Sequence, residues 1–79
     1  MLILYTKPHC AYCDVVKNEA DKLGLTLELR DVYDEGILDE LVARGGKKQV
    51  PYFVDDETGS EMYGSDDIVQ YLHERFKRN

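Results

Sequence analysis

The sequence predicts one α/β domain, residues 1–79, with the element order β-α-β-α-β-β-α and a four-stranded mixed sheet flanked by helices. Three observations carry this. Leu2 to Thr6 is a short, largely apolar run, the pattern of a strand covered on both faces and therefore central. Ala11 to Leu23 repeats apolar residues at steps of three or four, the period of a helix packed on one side. Leu25, Leu27 and Leu29 then alternate with Thr26, Glu28 and Arg30, the period of a half-exposed strand at a sheet edge.

Each element has its own punctuation. Lys7-Pro8-His9 breaks the first strand. The first helix carries Cys13, Val16, Ala20 and Leu23 on one stripe, and Gly24 suits the left-handed position that ends it. Asp34 is placed to cap a second helix bearing Ile37, Leu38, Leu41 and Val42, which Gly45-Gly46 stops. Tyr52-Phe53-Val54 is a third strand, Asp55 to Gly59 a turn, and Ser60 to Tyr63 an antiparallel return. Ser65 is placed to cap a last helix, with Asp66 and Asp67 in its first turn and Ile68, Leu72 and Phe76 on its core face. Arg75, Lys77 and Arg78 suit the negative end of that helix.

Ten Lys and Arg against 16 Asp and Glu leave a net charge of −6. That field repels phosphate, so neither nucleic acid nor an anionic membrane is an expected partner. No basic leader with an apolar core opens the chain, and no apolar run approaches the ~20 residues of a membrane span. A cytoplasmic, monomeric protein is the expectation.

The two cysteines stand at Cys10 and Cys13. A disulfide closing so small a loop constrains the unfolded chain little, so structural stapling is a poor explanation. Redox chemistry, metal binding and coincidence are the remaining readings. Zinc normally takes four ligands, and no second pair is present. Asp14 excludes a c-type haem site, which needs a histidine there. A C-x-x-C beside a β-α-β pattern favours the redox reading. The helical stripe expects Cys13 to be buried and Cys10 to precede the helix, exposed, with its sulfur facing N–H groups that favour a thiolate. Lys7 stands close enough in sequence to assist. Cys10 is then the nucleophile and Cys13 the resolving thiol.

These residues resemble a glutaredoxin, of the thioredoxin-fold family. Tyr5-Thr6-Lys7 leading into Cys10-Ala11-Tyr12-Cys13 is similar to that family's strand, lysine and active site. Gly46-Lys47-Lys48-Gln49-Val50-Pro51 resembles the segment that carries its cis proline, and Tyr63-Gly64-Ser65-Asp66-Asp67 resembles its glutathione-holding turn. The resemblance implies a glutathione-dependent thiol–disulfide oxidoreductase serving cell redox homeostasis and electron transport. It would act on disulfide-containing or glutathionylated proteins, with glutathione as cosubstrate and no metal. It also implies three anchors for glutathione. Lys7 and Lys47, helped by Gln49 or Arg44, would attract the glycyl carboxylate, and Arg44, Lys47 and Lys48 would form a basic patch in an acidic chain. The backbone of Val50, before Pro51, would pair with the cysteinyl residue. The N–H groups of Ser65 and Asp66 would take the glutamyl carboxylate, and Asp66 or Asp67 the ammonium. Tyr12 would line the thiol groove. Plainer roles are available: solvated loop charges for Lys47 and Lys48, helix capping for Ser65 and Asp66, surface packing for Tyr12.

Ala11, Gln49 and His9 depart from the family pattern. Ala11 replaces a rigidifying proline and keeps open a second reading, a dimer sharing a [2Fe-2S] cluster with glutathione thiols. A third reading is a redoxin served by thioredoxin reductase, which the Ser65-Asp66-Asp67 turn and Lys7 disfavour. The chain also resembles the N-terminal half of glutathione transferases. Because nothing follows residue 79, transferase activity is not expected.

Overall fold

A computed structural model describes residues 1–76. The elements are β1 (Leu2–Thr6), α1 (Ala11–Lys22), β2 (Leu27–Asp31), α2 (Ile37–Gly45), β3 (Tyr52–Asp55), β4 (Ser60–Tyr63) and α3 (Ser65–Arg75). The strand order is β2-β1-β3-β4, with β1 parallel to β2 and the other pairs antiparallel. This is the thioredoxin-like arrangement the sequence predicts. Among the described residues no helix is long and apolar enough to cross a membrane.

The uninterrupted apolar run of β1 is explained by its neighbours. It lies between two strands, and side chains alternate to opposite faces. Leu2 and Leu4 join Phe53, Val16, Ala20, Ile68 and Leu72 in a core shared with α1 and α3. Ile3 and Tyr5 join Tyr52, Val54 and Leu41 in a second core beneath α2. The sheet is thus the middle layer of three. β2 is an edge strand, and Leu29, at its middle, is half exposed.

Helix ends follow local chemistry with two corrections. Gly24 adopts φ 71°, its N–H bonds the Asp21 carbonyl and the Leu25 N–H bonds the Ala20 carbonyl, a Schellman closure of α1. Gly46, at φ 87°, closes α2 with its N–H on Val42. Asp34 does not cap α2: Gly36 occupies that position, and the Asp34 carbonyl accepts from the Ile37 N–H in the preceding turn. Ser65 does not cap α3 either. Gly64 does, which makes Ser65 the first helical residue and buries it. In both cases a glycine at positive φ takes the turn into the helix, a conformation that side-chain-bearing residues rarely adopt. Lys77 and Arg78 lie outside the described residues.

Candidate functional site

The site is built where three chain reversals meet: the start of α1, the segment before β3 and the start of α3. His9 takes φ 59°, the left-handed region that histidine enters more readily than most residues. It is exposed and turns the chain from β1 into α1. Cys10 follows as the N-cap, and its Sγ accepts the Cys13 N–H at 3.2 Å. A sulfur thus takes the place usually filled by a Ser, Thr or Asp oxygen. The expectation of an exposed Cys10 is corrected: the sulfur folds over the helix end to reach that N–H, leaving the residue 7% exposed. Cys13 is fully buried, as its place on the stripe predicts. Burial pushes the Cys13 thiol up from its ordinary value, and the neighbouring Cys10 adds to this, against opposing contacts from Thr6 and the Lys7 backbone. Both thiols are free.

The Val50–Pro51 peptide is cis. The Pro51 carbonyl accepts the Gly64 N–H at 3.4 Å, which holds the segment before β3 against the turn into α3. Between them lies a groove of about 390 Å³. Tyr12, Gln49, Val50, Pro51, Ser65, Asp66 and Asp67 all line it, so seven of the residues singled out in the sequence converge on one place. Gly64, quoted above only as part of the Tyr63–Asp67 turn, also lines it at φ 91°; the glycine standing directly before Ser65-Asp66-Asp67 is its signal in the sequence.

The lysines separate from this group. Lys7 lines an adjoining cleft of about 340 Å³ with Lys48, Tyr33 and Val32, and Gln49 and Val50 form the wall between the two spaces. Lys47 stands elsewhere, its Nζ 5.7 Å from the centre of the Tyr63 ring. Arg44 is engaged by Glu61 at 3.2 Å. The basic cluster expected from Arg44, Lys47 and Lys48 is therefore divided, because α2 ends before Lys47 and the chain turns at Gly46.

The family model that matches the sequence is the glutathione S-transferase N-terminal domain, over residues 4–79. A search of curated proteins finds no match. Among solved structures, glutathione S-transferase 1-6 from Anopheles dirus species B is 29% identical, with a TM-score of 0.82 over 98% of this chain and 37% of that one. An epsilon-class glutathione S-transferase from the housefly, Musca domestica, is 21% identical, with a TM-score of 0.84 over 100% of this chain and 37% of that one. Glutaredoxin 2 from Salmonella typhimurium, solved with glutathione, is 22% identical, with a TM-score of 0.84 over 99% of this chain and 35% of that one. The chain thus spans about 37% of the length of the transferases it matches.

These findings correct the functional expectation. A dithiol glutaredoxin, with Cys10 as nucleophile, Cys13 as resolving thiol, a redox-active disulfide and an electron-transport role, is not what the chain matches. The likeness to glutaredoxin 2 is one of fold. The iron–sulfur and reductase-served alternatives rest on the same pair of thiols and fall on the same finding. The physical reason is that the three quoted motifs build a fold and a groove, and neither dictates dithiol exchange. Cys13 is accounted for by its place on the buried stripe of α1. The resemblance to the N-terminal half of glutathione transferases holds: the chain belongs to the glutathione S-transferase N-terminal domain family.

Proposed function

We propose that this domain binds glutathione in the groove between Gln49–Pro51 and the start of α3, and presents its thiol for transfer to an electrophile. The observation that carries the reading is the composition of that groove. Its α3 wall offers a helix N-terminus, whose free N–H groups and dipole attract a carboxylate, next to the acidic side chains of Asp66 and Asp67, which attract an ammonium. The γ-glutamyl end of glutathione carries both charges on one carbon. In this reading the Ser65 and Asp66 N–H groups hold its carboxylate, and Asp66 or Asp67 its ammonium.

The opposite wall supplies the Val50 backbone for the cysteinyl peptide. Gln49, with Lys7 across the shared wall and Lys47 beyond it, supplies donors and charge for the glycyl carboxylate. The ligand thiol then lies toward Tyr12 and the start of α1, where Cys10 sits and where the helix dipole favours a thiolate. In the transfer step the thiol proton leaves to solvent, the sulfur forms a C–S bond, and the leaving group departs with its electron pair. This domain supplies the glutathione half of that reaction.

Calorimetric titration tests the reading. The wild-type chain should bind glutathione saturably, and an Asp66→Asn/Asp67→Asn variant should bind it at least about tenfold more weakly, as loss of charge-assisted hydrogen bonds implies. Absence of binding at millimolar glutathione would overturn the proposal.

A further inference from the structure

Tyr63, the last residue of β4, is joined to the segment that forms the opposite wall of the groove. Its hydroxyl donates to the Lys47 carbonyl at 2.8 Å and accepts the Lys47 N–H at 3.0 Å. Two bonds to one residue's backbone fix both the position and the tilt of the chain at Lys47. The aromatic ring is itself fixed. It packs against Tyr52, its cross-strand partner, with centres 4.4 Å apart and the planes tilted by 48°, and the Lys47 ammonium stands over its face. Gly45 makes room for the approach: a Cβ there would collide with the Tyr63 hydroxyl and come within 2.7 Å of two ring carbons.

From Tyr63 the chain passes directly into Gly64, Ser65 and Asp66, the proposed glutamyl side of the groove. One residue therefore connects both walls: its backbone leads into the α3 wall, and its hydroxyl holds the start of the Lys47–Pro51 wall. We propose that Tyr63 is a positioning residue that sets the glycyl side of the groove by clamping the Lys47 peptide. This rests on the assignment of the groove to glutathione. Residues 46–48 and Val50 are bends rather than parts of a helix or strand, so the clamp acts where regular structure does not. Its release would let Lys47, Lys48 and Gln49 drift relative to Pro51 while leaving the start of α3 in place.

The test compares glutathione with γ-glutamylcysteine, which lacks the glycyl residue, by calorimetric titration of three forms of the chain. Tyr63→Phe keeps the ring contact with Tyr52 and removes both hydroxyl bonds. Gly45→Ala displaces the hydroxyl from the other side, at a helical position where alanine is otherwise favourable. Each variant should weaken glutathione about tenfold and leave γ-glutamylcysteine within about twofold of the wild type. Equal weakening of both ligands, or none for glutathione, would overturn the clamp while the groove reading stood. A wild type that binds neither ligand would overturn both. Amide hydrogen exchange gives a readout free of ligand: at Lys47 it should accelerate in Tyr63→Phe while Ile68, bonded to the Gly64 carbonyl, keeps its protection. Unchanged exchange at Lys47 would count against the clamp.

Discussion

Asp55 and Arg75 face each other where β3 meets the end of α3, with the Arg75 Nε 2.7 Å from a carboxylate oxygen of an Asp55 that is fully buried. The Tyr71 hydroxyl donates to the same oxygen at 2.6 Å, and the Glu57 N–H donates to the other at 3.1 Å. Burial alone would push the Asp55 carboxyl up. The bonds from Tyr71, Arg75 and the Glu57 N–H outweigh it and leave the group below its ordinary value. This cluster joins the hairpin to α3 at the end of the domain away from the groove.

Stability should therefore depend on Asp55 at acid pH. A carboxyl lowered on folding contributes stability that is present above its unfolded value of about 4 and lost as pH falls through the lowered folded value. Asp55→Asn should cost about 2 kcal/mol at pH 7 and flatten the acid limb of a urea-denaturation series. An unchanged limb would assign the acid sensitivity to other carboxylates.

Gly64 holds φ 91° and ψ 126°, a conformation that side-chain-bearing residues avoid, and open space surrounds the position of its missing Cβ. Gly64→Ala should thus act through backbone strain, at about 1–3 kcal/mol, rather than through a clash. Glutathione affinity should fall with it, because α3 starts from that turn. Thermal unfolding and titration of the variant check both.

The core shared by α1, α3 and the sheet contains Phe53 and Leu72, both fully buried. Phe53→Ala should cost about 3–5 kcal/mol and Leu72→Ala about 2–5 kcal/mol. In so small a domain either loss takes up a large share of total stability. Urea midpoints for the two variants, compared at equal slope, measure it.

Cys13, buried and held in the thiol form, should resist alkylation by iodoacetamide at neutral pH until the domain unfolds. Cys13→Ala should leave glutathione affinity near that of the wild type, since Cys13 is buried on the inner stripe of α1 and is not among the residues lining the groove. Mass spectrometry of native and unfolded protein, followed by titration of the variant, separates a core cysteine from one that acts in the groove.

The groove was legible because its parts are local signals: an acidic pair at a helix start, a Val-Pro before a strand and a tyrosine at the first turn of α1. Chemistry was less legible. Cys10 and Cys13 at that spacing invite a dithiol reading, but spacing does not report that the Cys10 sulfur folds over the helix end and is buried, nor which of several proteins sharing the fold the chain belongs with. The basic cluster misled for a related reason: Arg44, Lys47 and Lys48 are neighbours in sequence, yet the turn at Gly46 sends them to different partners.

The sequence by itself determined the order of elements, the buried stripe of α1, the central place of β1 and the edge place of β2, because period and punctuation act over a few residues. Tertiary structure decided the burial of Cys10, the separation of Lys7 and Lys48 from Lys47, the Asp55–Arg75 cluster and the hydrogen bonds of the Tyr63 hydroxyl to the Lys47 backbone. Tyr63 and Lys47 are 16 residues apart and Asp55 and Arg75 are 20 apart, separations at which only the closing of the sheet and the docking of α2 and α3 determine which side chains meet.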